Sequence, residues 1–215
     1  GFLASADFVP FAHECEVIVP LGCWGVLDVC TQLAVLQRSG YPRFRIAVNL
    51  SGRQFREPNL ADMFERHLAA TGADANSLQV EITEAMLIDD MRMSRKVLER
   101  LRELGISVAI DDFGTGYSSL RYLNELPIDT LKIDRSFVNK ISANSCHSDI
   151  AAAVIAMAHK LKKTVVAEGI ESPEQLAFLK SNECDYGQGY LFGAPMELDD
   201  VVGMVKSQRR VDGRT

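Results

Sequence analysis

Ile106-Ser107-Val108-Ala109-Ile110-Asp111-Asp112-Phe113-Gly114-Thr115-Gly116-Tyr117-Ser118-Ser119-Leu120 is the stretch from which the rest of the chain is read. Ile106, Val108, Ala109 and Ile110 form a short apolar run, the pattern of a buried strand. It ends on two adjacent carboxylates, Asp111 and Asp112. Gly114 and Gly116 then let the backbone turn sharply, and a short helix is expected from near Tyr117. Neighbouring aspartates repel each other, so the pattern asks for a cation beside them. For an isolated pair, one aspartate capping the helix and the other in water explains as much. The flanking sequence decides.

Upstream, residues 6–16 and 18–38 are expected helices, the second with Leu21, Val26, Val29, Leu33 and Leu36 on one face and Gly40 with Pro42 as its stop. Residues 44–49 read as a strand ending on Asn49, 59–70 as a helix, and 78–83 as a strand carrying Glu81. A helix near 91–104 precedes the double-Asp strand. Downstream come a strand at 130–134 that buries Lys132, an alanine-rich helix at 148–162, and a strand at 164–169 ending near Glu168. Ser172-Pro173-Glu174-Gln175 is a helix start with a cap, a first-turn proline and Gln at N3. The last strand is expected near 187–191, and the polar stretch 206–215 as a tail, leaving 1–205 as one domain.

Strands alternating with helices imply parallel βαβ units and an α/β fold. Asn49, Glu81, Asp111 with Asp112, Lys132, Glu168 and Gln188 recur at successive strand ends. A (β/α) barrel gathers such residues at one face. A doubly wound open sheet gathers them only at its switch point, and so explains fewer.

Composition narrows the rest. Hydrophobic residues make up 47 % and charged ones 24 %, ordinary for a globular protein. A net charge of -6 argues against DNA or RNA as partner. Five cysteines with no Cys-x-x-Cys pair argue against a disulfide framework and for a cytoplasmic setting. No unbroken apolar run suggests a membrane segment, and no signal peptide is visible.

Carboxylates and a carboxamide oxygen suit Mg²⁺ or Mn²⁺. Asn49, Glu81, Asp111 and Asp112 offer enough oxygens for two ions, which about 3.5–4 Å apart can clamp an in-line phosphoryl displacement. Lys132 adds a cation for the developing charge or the attacking water, and Glu168 a proton acceptor. A salt bridge with a neighbouring acid accounts for Lys132 equally well. His13, His67, His147 and His159 fall away from strand ends and are read as filler. Barrels that abstract a proton beside a carboxylate also hang acids and a lysine from successive strands, so spacing alone leaves that class open. Asp112-Phe113-Gly114 also occurs in protein kinases, whose Gly-rich loop, Val-Ala-Ile-Lys strand and His-Arg-Asp loop are absent here.

Six segments taken together are more specific: Ala47-Val48-Asn49-Leu50-Ser51, Glu81-Ile82-Thr83-Glu84, Asp111 to Leu120, Leu131-Lys132-Ile133-Asp134, Ala167-Glu168-Gly169-Ile170-Glu171 and Gln188-Gly189-Tyr190-Leu191-Phe192. From Gly1 to about Met196 the chain resembles the EAL domain family of bacterial phosphodiesterases. The resemblance implies a modified TIM-type barrel that cuts cyclic di-GMP to linear pGpG with two Mg²⁺ or Mn²⁺ ions. It implies that Asn49, Glu81 and Asp111 are metal ligands and that Asp112 serves the second ion. Lys132 would position the water and Glu168 act as base or on metal-bound water. Glu84 would hold the Asp-Asp loop, while Asp134, Glu171 and Gln188 would surround the ligand. It further implies a homodimer packed near Arg135-Ser136-Phe137-Val138, with upstream sensor or GGDEF-type domains in a parent chain.

One feature departs from the pattern. The motif Glu-Ala-Leu, whose glutamate is a metal ligand in the family, does not occur in this sequence. Six strands are expected where a closed barrel has eight. The chain by itself is therefore expected to be a weak or inactive catalyst, the parent protein an active one. A receptor that binds cyclic di-GMP without cutting it is the alternative.

Overall fold

A computed structural model of the chain describes residues 5–41, 44–88, 90–114, 120–141 and 146–211. Helices α1 (Ser5–Glu14) and α2 (Ile18–Arg38) lead into β1 (Ile46–Asn49), and α3 (Gly52–Phe55) and α4 (Leu60–Thr71) into β2 (Leu78–Thr83). Then come α5 (Glu84–Ile88), α6 (Met91–Glu103), β3 (Ser107–Phe113), α7 (Leu120–Glu125) and β4 (Thr130–Ile133). Helices α8 (Arg135–Val138) and α9 (Cys146–Lys160) precede β5 (Thr164–Ala167), α10 (Pro173–Ser181) precedes the two-residue β6 (Tyr186–Gly187), and α11 (Leu198–Val211) follows.

All six strands pair in parallel, in the order β1-β2-β3-β4-β5-β6. Each strand's neighbour in space is its neighbour in sequence, so the winding never reverses as it would in a doubly wound sheet. Residues from both ends of the row, Ala47 and Tyr186 among them, bound one concavity of about 390 Å³, so the sheet is curled. The fold is α/β, an incomplete TIM-type barrel. Among the described residues, β1 and β6 each pair on one side only.

Strand alternation sorts the side chains into two layers. Val80, Ile82, Val108, Ile110, Leu131, Ile133 and Val165 point outward and are buried under the helices. Gln79, Glu81, Thr130 and Lys132 point inward and are buried polar groups. Gln79 Nε2 donates to Thr130 Oγ1 at 3.0 Å, across the intervening β3. Ala109 of β3, in register with Glu81 and Thr130, is small enough to let side chains two strands apart meet.

Helix α2 packs on β1, α3 and α4, burying Val26, Cys30 and Leu33, while Trp24, Leu27 and Val35 on its other face are exposed. The absence of an unbroken apolar run understates this helix. Its 21 residues reach a mean hydropathy of 1.6 over an 18-residue window, long and apolar enough by length and composition to cross a membrane, with 28 % of that window buried. Inside the described residues its packing is that of a barrel's outer helix.

Four short or late elements differ from expectation. Helices α3, α5 and α11 were not expected, and α11 runs through the domain boundary placed at residue 205. The last strand stops at Gly187, with Gln188 beyond it. The helix expected near Tyr117 lies partly outside the described residues, as do the remaining loop residues 115–119 and the tail beyond 211.

Candidate active site

The C-terminal ends of β1 to β5 converge on Lys132, a buried residue of β4. Its Nζ lies 2.6 Å from Glu81 Oε2, 2.7 Å from Glu168 Oε1 and 3.1 Å from Asp111 Oδ1. Burial alone would push the lysine toward its neutral form. Hydrogen bonds to Glu168 and Glu81, and the charges of both, outweigh it and raise the pKa above the usual range. Glu168 is shifted upward too: burial dominates, Lys132 opposes it, and Asp111 and Glu81 add repulsion.

Adjacent strand residues normally face opposite sides, yet Asp111 and Asp112 serve one cluster. The backbone explains how. The β3–β4 register breaks between Ile110 and Phe113, and Asp112 adopts a left-handed φ of 54°. Such a bulge re-aims side chains, at a cost of about 1–2 kcal/mol for a residue with a Cβ. Oxygens of Asp111, Asp112 and Glu168 consequently lie within 4.8 Å of one another. Desolvation, then the charges of Asp111 and Asp134 and a hydrogen bond with Asp134, raise the Asp112 pKa against the pull of Lys132.

Asn49 completes the group. In one amide orientation its nitrogen donates to Asp111 Oδ2 and Glu81 Oε2, each at 3.3 Å. In the other, three oxygens meet with no proton between them. That second arrangement is what a divalent cation requires, and the hard oxygen donors fit Mg²⁺ or Mn²⁺. The geometric cluster of Asp111, Asp112 and Glu168 adds Glu168 to the ligand candidates expected from sequence.

Asp134 caps α8, accepting from Ser136 N at 2.9 Å; that bond, the Arg135 amide and the Arg135 charge outweigh burial and lower its pKa. Asp112, Asp134, Glu168, Glu171 and Gln188 line a cavity of about 670 Å³. Arg135 and Tyr190 line it as well, and sequence reasoning did not assign either to the site. The signal for Arg135 was its place directly after a strand-end acid. The cavity wall depends on Gly169, whose φ is 70° and where a Cβ would lie 2.6 Å from that of Arg135. Glu84 is buried at the start of α5, which packs on β2 and β3, whereas residues 115–119 of the Asp-Asp loop it was expected to hold lie outside the described residues. His67 and His159 sit apart from the acids, bound to Cys23 and Asp185, while the side chains of His13 and His147 lie outside the described set.

The sequence profile of the EAL domain matches residues 1–195. The chain belongs to the EAL domain family. It is 43 % identical over 209 residues to cyclic di-GMP phosphodiesterase NbdA of Pseudomonas aeruginosa, covering 97 % of this chain and 27 % of that one. It is 37 % identical to the bifunctional diguanylate cyclase/cyclic di-GMP phosphodiesterase MucR of the same organism, covering 95 % and 30 %. The solved PaMucR phosphodiesterase, in a c-di-GMP complex, superposes with a TM-score of 0.90 at 37 % identity, over 94 % of this chain and 81 % of that one. This EAL domain thus spans about a quarter to a third of the length of those two curated relatives. Its part-barrel is the fold those comparisons lead one to expect.

Proposed function

We propose that this EAL domain hydrolyses cyclic di-GMP to linear pGpG within a larger bacterial signalling protein. The observation that carries the proposal is the convergence of Asn49, Glu81, Asp111, Asp112 and Glu168 around Lys132, beside a cavity of about 670 Å³. That volume falls in the range of small-ligand sites, roughly 300–1,000 Å³. The names of NbdA and MucR, and the c-di-GMP complex of PaMucR, support the choice of substrate.

Asn49, Glu81 and Asp111 would hold one Mg²⁺ or Mn²⁺, and Asp112 with Asp111 the second. When bound, the ions supply a more acidic water and positive charge against the phosphodiester oxygens. The chain's own residues do the rest. Lys132, kept protonated by its three acids, orients the attacking water and faces the charge that builds on phosphorus. Glu168 accepts the proton. Asp134, Glu171 and Gln188 hold the dinucleotide along the cavity, and Arg135 offers its phosphate a cation.

Because no Glu-Ala-Leu occurs in the 215 residues, the activity belongs to the protein that also supplies that glutamate, and the isolated chain is weak or inactive. We assign it to the cytoplasm, with sensor or diguanylate-cyclase-type domains upstream as the name of MucR suggests. A homodimer through α8 belongs to the same reading. Phe137 is half-buried, its ring 3.1 Å from the Cβ position of Gly114, so a contact there would reach the strand that carries Asp111 and Asp112.

The test is chromatography of cyclic di-GMP incubated with Mg²⁺ or Mn²⁺ and this domain extended upstream with a Glu-Ala-Leu segment. Linear product that disappears in Glu168→Gln supports the enzyme. Tight binding without product identifies a receptor instead.

A further inference from the structure

Cys23 and His67 form a pair that the strand-end site does not use. They lie on α2 and α4, 44 positions apart, with Sγ and Nε2 separated by 3.4 Å and both side chains part-buried. Beside them is a cavity of about 120 Å³ lined by Val19, Cys23, Gln54, Leu60, Met63 and Arg66. A water molecule takes about 30 Å³, so a molecule of two or three heavy atoms fits. Burial, then the charge of Arg66, holds the His67 pKa below its ordinary value, against a hydrogen bond that the ring donates to the Cys23 backbone. The shift favours the neutral imidazole, and in the tautomer with its proton on Nδ1 the 3.4 Å contact lets Nε2 accept the Cys23 S–H.

The cavity also touches the loop behind Asn49. Gln54 packs flush against α2, where a Cβ at Gly22 would lie 1.9 Å from Gln54 Nε2. Gln54 Oε1 in turn accepts from Ser51 N at 3.1 Å and Ser51 Oγ at 2.9 Å. Ser51 stands two residues after Asn49. Cys23 and Gln54 line the same small cavity, so a group added to Cys23 enters the space beside the side chain that fixes this turn.

We propose that Cys23 is a peroxide-reactive thiol activated by His67, and that its oxidation loosens the Gln54–Ser51 turn carrying Asn49. The Cys23 proton passes to His67 Nε2, and the sulfur attacks one oxygen of hydrogen peroxide. An S–O bond forms as the O–O bond breaks, and the departing hydroxide takes the imidazolium proton to leave as water. Cysteine is oxidised to sulfenic acid, peroxide is reduced to water, and His67 returns neutral. The coupling to Asn49 rests on its reading as a metal ligand; the thiol chemistry does not.

Protein treated with hydrogen peroxide in the presence of dimedone, then mapped by peptide mass spectrometry, tests the thiol. Cys23 should carry the adduct ahead of exposed Cys15, and His67→Gln should slow it roughly tenfold while leaving Cys15 unchanged. Adduct on Cys15 first, in the unaltered protein, overturns the assignment whether or not the variant folds, as does an unchanged Cys23 rate in a folded His67→Gln. Mn²⁺ affinity tests the coupling: peroxide should lower it several-fold in the unaltered protein and not in Cys23→Ser. Unchanged affinity with Cys23 fully oxidised overturns the coupling. Absence of Mn²⁺ binding before treatment contradicts the proposed function instead.

Discussion

Lys132 shows how far one buried charge depends on its surroundings. It is held among Glu81, Asp111 and Glu168, and without it three carboxylates would face one another. Lys132→Met should cost about 3–5 kcal/mol, the usual penalty for leaving buried charge uncompensated. Added Mn²⁺ should restore part of that loss in a denaturant titration, which a purely structural salt bridge would not predict. Thiols give a pH signature elsewhere. Burial pushes Cys30 and Cys184 up to about 11, from 9.0. Between those values the unfolded chain releases thiol protons that the folded one keeps, so stability should fall as pH rises from about 9 through 11. Cys30→Ala should flatten that fall in thermal melts. The strand-end acids and Lys132 were legible because alternation fixes which way each points. The joint use of Asp111 and Asp112 was not, because it depends on a bulge and on a left-handed φ that an aspartate tolerates but signals only weakly.

Between residue and fold, connections carry the weight. The Ser172 cap reads directly from sequence and forms as expected, with Gln175 closing the box from N3. Ser172→Ala should lower stability by about 1 kcal/mol without altering ligand affinity. Gly169→Ala is a different case. Its φ of 70° and the 2.6 Å approach to Arg135 mean that a methyl group must displace α8 or the Glu168 loop. Catalysis should fall at least tenfold with a stability loss of about 1–2 kcal/mol, measured by product assay and melting together. Helix α3 escaped sequence reading because four residues, Gly52 to Phe55, are too few to show a period; its own box of Ser51 and Gln54 was the available signal. β6 is shorter than the sequence suggests: Gly187-Gln188-Gly189-Tyr190-Leu191 is apolar enough for a strand, but the chain turns after Gly187 to pair Gln188 with Ile170.

At the level of the molecule, the part-barrel puts a polar layer inside and an apolar layer under the helices, and the site exists only because both layers keep register. Ala109 is where that is easiest to test. A larger residue there would part Glu81 from Lys132, so Ala109→Val should weaken Mn²⁺ binding even though the substitution is apolar and buried. Barrel class was legible because polar residues recurred at successive strand ends. The exposed apolar face of α2 was not, because a helix that packs on one side and stands open on the other has one composition in either environment.

The most direct test of the central claim is anomalous scattering from crystals of this EAL domain grown with Mn²⁺ and cyclic di-GMP. The account predicts Mn²⁺ among Asn49, Glu81, Asp111 and Asp112, with the dinucleotide in the cavity bounded by Asp134, Glu171 and Gln188. Dinucleotide bound elsewhere, or Mn²⁺ absent from those carboxylates while Lys132 keeps all three of its acids, would contradict it.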